Sequence, residues 1–152
     1  MSVVNDLLPI VLSIRPTYVE RILRGDKTVE LRRRFPLHDL SDRIALIYST
    51  SPAQAIVALA RLQSVEQLNI SALWKLYGNA AAVTREEFDS YFRGAKAGYA
   101  LFISDVVRFR RAIHITDLTR QFDFSPPQSY CYWKSSLKEL ATHGGVKAAS
   151  RH

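Results

Sequence analysis

Within eight residues, Gly25-Asp26-Lys27-Thr28-Val29-Glu30-Leu31-Arg32, this chain stops a helix, turns and enters a strand. Upstream, Pro16 is pre-set for a first helical turn. Val19, Ile22 and Leu23, with Tyr18 alongside, then supply an apolar stripe that predicts a helix over 16–24, ended by Gly25. The strand predicted over 28–33 alternates its side chains, so Glu30 and Arg32 share one face while Val29 and Leu31 occupy the other. An ammonium, a carboxylate and a guanidinium are thereby gathered beside an apolar wall. Such a group can bind a polar ligand or move a proton. It can equally be a solvated ladder of ion pairs, each contributing less than about 1 kcal/mol.

The rest of the chain supplies the frame. Short strands are predicted over 10–14, 43–49, 55–62 and 99–109, with 111–115 pairing back onto the last of these. Between the fourth and fifth strands the period changes to helical. Asn69 or Ser71 can cap a helix carrying Leu73, Trp74 and Tyr77 and ending at Gly78, and Thr84 with Glu87 matches a capping box ahead of Phe88, Tyr91 and Phe92. Pro126-Pro127 forces an extended segment over 128–133, and a last helix is predicted over 135–141. An early helix, several short strands and a helical insert predict an α+β fold built on a small curled sheet or partial barrel, whose mouth is the natural place for a ligand. Residues 1–142 read as one domain, and 143–152, with Gly144-Gly145, as a flexible basic tail.

A formal charge of +7 in 152 residues draws such a protein toward polyanions, with Arg32-Arg33-Arg34 and Arg108, Arg110 and Arg111 as local knots. Nucleic acid is the specific partner this favours. The apolar stretch from Leu7 to Leu12 is too short for a bilayer and is broken by Pro9, which argues against a membrane segment or a secretory leader. A single cysteine, Cys131, cannot form an internal disulfide, and no histidine or cysteine cluster has metal-ligand spacing. A cytoplasmic protein without metal or cofactor is the expectation.

Two further segments carry candidate ligand groups. Tyr48-Ser49-Thr50-Ser51-Pro52 ends a strand with small hydroxyls beside an aromatic, which suits hydrogen bonding to a stacked heterocycle; it also suits a plain strand-ending turn. In the closing segment, Gln128 offers donor and acceptor to a base edge, beside Ser129 and Tyr130, although Tyr130 and Tyr132 share a face that can simply be core. Phe88, Tyr91 and Phe92 at helical spacing read as core.

Leu12-Ser13-Ile14-Arg15-Pro16 followed by the block from Gly25 to Arg32 resembles the opening of the ASCH domain family, a branch of the PUA-like superfamily. Tyr48 to Pro52, Tyr91-Phe92 with Gly98-Tyr99-Ala100, and Pro126 to Tyr132 resemble its later blocks, in order. The resemblance implies a PUA-like pseudo-β-barrel of about five to six strands with a cleft beside the first helix, and RNA or a modified nucleoside as ligand. It implies Lys27 and Glu30 as candidate catalytic residues, with Ser13, Arg15, Arg32, Tyr48, Ser49, Thr50, Gln128, Ser129 and Tyr130 as candidate ligand contacts. In members that hydrolyse N4-acetylcytidine, the lysine corresponding to Lys27 works with a threonine and a glutamate; here the threonine position holds Glu30 and the glutamate position falls near Asn79. Other members are ribonucleases, to which Lys27, Tyr48 and Ser129 would contribute.

Overall fold

The computed structural model describes residues 7–36 and 40–146. In chain order the elements are β1 (Ile10–Ile14), α1 (Pro16–Leu23), β2 (Val29–Arg32), β3 (Arg43–Ser49), β4 (Ala55–Asn69), α2 (Ile70–Tyr77), α3 (Arg85–Tyr91), β5 (Ala97–His114), α4 (Ile115–Phe122), β6 (Tyr130–Tyr132) and α5 (Leu137–His143). The strands form one sheet in the order β2-β5-β4-β3-β1-β6. Among the described residues only β1 and β3 run parallel, joined through α1 and β2; the other pairs are antiparallel.

β2 and β6 lie at opposite edges of that order, yet they meet. The Arg32 guanidinium of β2 donates to the carbonyls of Ser13 on β1 (2.9 Å) and of Ser129 beside β6 (3.3 Å). The sheet is therefore curled into a half-closed barrel, the α+β architecture expected. Register shifts along β3, β4 and β5 accompany the curl, as bulges bend and twist a strand.

Both faces of the sheet are covered, which is why β1 reads as an unbroken apolar run and all five of its residues are buried. Inside the curl, Ile10, Leu12 and Ile14 pack with Ile47, Leu62, Leu101 and the α1 residues Val19 and Ile22. On the outer face, Val11, Leu46, Tyr48 and Ile56 meet Leu118 and Phe122 of α4, Trp133, and Leu140 of α5. A third cluster under α2 and α3 joins Val29 and Leu31 to Leu73, Phe88 and Phe92. Gly98 admits the helical insert at this point, because a Cβ there would lie 2.5 Å from the Phe92 ring and 2.8 Å from Leu73.

The helix ends follow the capping signals. Asn69 Oδ1 accepts from the Ala72 amide at 2.8 Å, and the Thr84–Glu87 box is complete in both directions. Four readings change. The strand predicted over 55–62 runs on to Asn69 as β4. Residues 111–114 continue β5 rather than returning along it, with His114 opposite Ala55 on β4. Helix α4 was not anticipated; Ile115, Leu118 and Phe122 form its inward stripe. Finally, residues 143–146, expected to open a flexible tail, are tied to the fold. His143 ends α5, and the Gly144 carbonyl accepts from the Arg110 and Arg111 amides at 2.8 and 3.1 Å. The remainder of that tail, 147–152, lies outside the described residues, as do 37–39 of the loop before β3.

Candidate functional site

A cleft of about 720 Å³ opens where the curl leaves a mouth, between α1 and β2 on one side and α3 on the other. Its volume falls within the range of about 300–1,000 Å³ common for small-molecule sites. The glycine turn builds its floor. Gly25, at φ +86°, takes the left-handed conformation that closes α1, and the amides of Asp26 and Lys27 then donate back to the Arg21 carbonyl at 3.0 Å. The chain is thereby swung so that the Lys27 side chain enters the protein instead of solvent.

Lys27 is 2% exposed. Its Nζ donates to the Ala81 carbonyl at 2.8 Å, lies 3.5 Å from Glu30 Oε1 and sits 5.0 Å from the Tyr18 ring centroid. Burial pulls its pKa below the usual lysine value; the Glu30 carboxylate works in the opposite direction, and the Arg21 and Arg32 cations add to the lowering. Glu30 offers its other oxygen to Arg32, whose Nε donates at 3.0 Å. Glu30 and Arg32 are each 7% exposed. The three charges thus form a dry triad with the carboxylate in the middle. The solvated ladder allowed by the spacing is not what forms: all four residues of β2 are buried, the charged pair as well as Val29 and Leu31.

Arg32 is occupied on every side. Besides Glu30 and the Ser13 and Ser129 carbonyls, its Nη1 reaches Ser129 Oγ at 3.0 Å. Ser13 in turn donates its hydroxyl to the Pro127 carbonyl at 2.7 Å, and its amide to the Ser129 carbonyl at 3.0 Å. Arg32 and Ser13 therefore fasten the closing segment to the barrel. Both line the cleft, but their hydrogen-bonding groups face protein.

Of the residues singled out from sequence, the cleft gathers Ser13, Arg15, Lys27, Glu30, Arg32, Thr50 and Gln128. Among these, the side chains of Arg15, Thr50 and Gln128 take no hydrogen bond from the described residues and are the groups open to a ligand. Four others do not line it. Tyr48 points to the outer face, 2% exposed, with its ring centroid 6.1 Å from that of Phe124, and burial raises its pKa. Strand alternation separates it from its neighbour: Ser49 is on the inner face, 3% exposed. Tyr130 packs on Phe35 at 5.2 Å, and Ser129 lies behind Arg32 and Ser13, bonded to both. Asn79 belongs to a separate hollow beside Trp74 and Lys75.

Sequence reasoning missed the opposite wall. Glu87, Ser90 and Tyr91 of α3 face the cleft. Arg21 ties that wall to α1, its Nη1 donating to the Ala82 carbonyl at 2.7 Å and to Glu87 Oε1 at 3.1 Å. The Arg21 bond, helped by the Thr84 amide, holds the Glu87 carboxyl below the usual range. Tyr18, also in the cleft, has its phenol pKa raised by burial and by Glu87. The capping-box signature had located Glu87 without showing that its carboxylate would turn toward α1. Among the described residues no cluster of histidine, cysteine and carboxylate side chains is arranged to hold a metal ion. Nor is any helix among them long and apolar enough to cross a membrane.

Residues 8–120 match the profile of a domain of unknown function, DUF365. An ASCH domain-containing ribonuclease of Zymomonas mobilis is 35% identical over 130 residues, which span 85% of this chain and 86% of that protein. The chain belongs to the ASCH domain family. The crystal structure of ASCH from Zymomonas mobilis superposes with a TM-score of 0.77 at 30% identity, covering 91% of this chain and 94% of that one. The ASCH fold extends to more distant chains: the N-terminal domain of Staphylothermus marinus McrB gives a TM-score of 0.55 at 10% identity, over 89% of this chain and 92% of that domain.

Proposed function

We propose that this ASCH domain binds single-stranded RNA by admitting one splayed base, ordinary or modified, to the cleft above Lys27, Glu30 and Arg32. The observation that carries this reading is the pairing of an open cleft of about 720 Å³ with a buried, cation-rich floor and a rim of unengaged polar groups, Arg15, Thr50 and Gln128. Gln128 and Thr50 can read base edges, and Arg15 at the mouth can meet a phosphate. An unpaired base can leave its stack and enter such a recess, whereas the deep, narrow major groove of an A-form duplex is closed to side chains. The chain's net charge of +7 favours the encounter.

The floor positions more than it touches. Because Arg32 spends its donors on Glu30, Ser13 and Ser129, its work is to set the height of Gln128 at the cleft edge. Glu30, 3.5 Å from Lys27 Nζ, opposes the downward pull of burial on the lysine pKa.

The likeness to a ribonuclease favours a second reading on the same cleft. There, the 2′-hydroxyl of the bound nucleotide would attack the adjacent phosphate and break the bond to the 5′-oxygen, leaving a cyclic phosphate and a 5′-hydroxyl. The Lys27 ammonium would neutralise charge gathering on the phosphoryl oxygens.

Binding of a short unpaired RNA and of the same sequence as a duplex, measured across a salt series, tests both readings. We expect preference for the single strand and a log–log salt slope of about −0.7 per phosphate contacted. A flat salt response with equal affinity for the duplex overturns the binding reading. Release of cyclic-phosphate ends, abolished in Lys27→Met, would establish turnover; binding without cleavage would leave the binding module alone.

A further inference from the structure

Helix α3 and its C-cap carry three aromatics, and two of them are core: Phe88 is 1% and Phe92 3% exposed. Tyr91 is 43% exposed and sits on the cleft lining. An exposed tyrosine on a helix ordinarily swings, but the side chain of this one is held at two points, its hydroxyl and its ring edge, and its backbone at a third. Its hydroxyl accepts from the Arg33 amide at 3.1 Å, and its carbonyl accepts from Arg33 Nη1 at 2.9 Å. The ring meets Phe92 edge-on, with centroids 4.8 Å apart. The remaining surface of the ring is open yet already ordered, so a flat partner laid on it would cost little conformational entropy.

The surroundings select the partner. Arg33 also donates to the Arg93 carbonyl at 3.0 Å, so the chain segments carrying Arg34 and Arg93 are joined beside Tyr91, and both of these arginines are exposed. The nearby carboxylates of Asp89 and Glu87 are engaged by Arg85 and Arg21, each at 3.1 Å. A partner protein would need exposed apolar surface continuous with Tyr91, but Phe92 is buried and the exposed residues beside it in the chain are Ser90 and Arg93. An aromatic face skirted by guanidinium groups matches a base and its phosphates.

We propose that Tyr91, flanked by Arg34 and Arg93, is a stacking platform for the nucleotide next to the one held in the cleft. This inference rests on the RNA reading of the cleft and extends it: the ligand is an oligonucleotide of at least two residues, not an isolated nucleoside. The strand leaves the cleft over the α3 wall.

The test uses the full chain with two ligands, a nucleoside monophosphate and an RNA hexamer carrying 2-aminopurine at each position in turn. With wild-type protein, fluorescence should be quenched at a position adjoining the cleft-bound base. Tyr91→Ala should raise the hexamer Kd by about tenfold or more and remove that quenching, with a larger factor than for the monophosphate. Tyr91→Phe should retain most of the hexamer affinity, since the ring and its contact with Phe92 survive. Arg34→Ala should reduce the magnitude of the log–log salt slope for the hexamer by about 0.7. Equal hexamer affinity in wild type and Tyr91→Ala, with the monophosphate still bound, would overturn the platform and leave the cleft standing. Failure of the wild-type protein to bind either ligand would overturn the RNA reading and the platform with it. Should Tyr91→Ala not fold, an unchanged salt slope in Arg34→Ala together with absent quenching in the wild type would overturn the platform.

Discussion

Replacing Glu30 by glutamine keeps the shape of the cleft floor and removes its only negative charge. In the native protein that carboxylate lies 3.5 Å from Lys27 Nζ and 3.0 Å from Arg32 Nε. An exposed pair of this kind would be worth less than about 1 kcal/mol. Here, however, the three residues are 2%, 7% and 7% exposed, so the substitution strands two cations in a buried recess. Removing one partner of a buried ion pair costs about 3–5 kcal/mol, mostly as the penalty for the charge left behind. In a chain of this size that corresponds to a fall in melting temperature of about 6–20 °C.

The pH dependence makes the prediction specific to Lys27. Burial already lowers its pKa from 10.5, so between its native pKa and 10.5 the unfolded chain holds a proton that the native one has released. Stability therefore rises with pH across that window. Glu30 opposes the lowering, and without it the native pKa falls further and the window stretches toward neutrality. The deficit of Glu30→Gln relative to wild type should be largest near pH 7 and shrink by up to about 1.4 kcal/mol per pH unit as the solution is made alkaline. Urea unfolding at several pH values from neutral to 9.5, followed by circular dichroism with unchanged m, measures this directly. The double variant Lys27→Met/Glu30→Gln should lose the pH-dependent part. A deficit under about 1 kcal/mol that does not vary with pH would refute the dry triad and return these residues to a solvated ladder.

Two other perturbations probe the walls. Arg32→Lys keeps the charge but cannot span Glu30, Ser13 and Ser129 at once, so we expect a loss of about 2 kcal/mol. Faster hydrogen exchange at the Ser13 amide, which donates to Ser129, should accompany it. For Glu87, whose carboxyl is held below 4.5 chiefly by Arg21, the stabilisation is full above that pH and is lost as pH falls through the native value. Glu87→Gln should therefore flatten that part of the acid-unfolding curve, and an unchanged acid limb would show that the Arg21 contact contributes nothing.

Much of the fold was legible because its signals are local. Pro16 and Gly25 bracket α1, Asn69 caps α2, and Thr84 with Glu87 caps α3, each through bonds spanning a few residues. Other features were hidden because they depend on distant chain. Alternation correctly paired Glu30 with Arg32, but only the closure of β2 against the segment before β6, 97 residues away, buries them. The apolar spacing of Ile115, Leu118 and Phe122 was present all along; reading 111–115 as a returning strand concealed it. Among Phe88, Tyr91 and Phe92, spacing alone does not say which ring faces outward. For Tyr48 the sequence held the answer: adjacent residues in a strand face opposite ways, so it was never able to share a pocket with Ser49.

The division of labour at the cleft follows from the cost of burying charge. A cation that must touch a polyanion is cheaply kept at a wet rim, as Arg15 is, because there it surrenders little hydration before binding. A cation placed on a dry floor must be neutralised by its own protein, and Lys27 and Arg32 are, by Glu30 and by backbone carbonyls. Those bonds fix the height of the floor and the closing segment before any ligand arrives. The salt-dependent part of affinity should accordingly come from Arg15 and base selectivity from Gln128 and Thr50, which the floor only positions, so that Arg15→Ala changes the salt slope while Gln128→Ala changes which base is preferred.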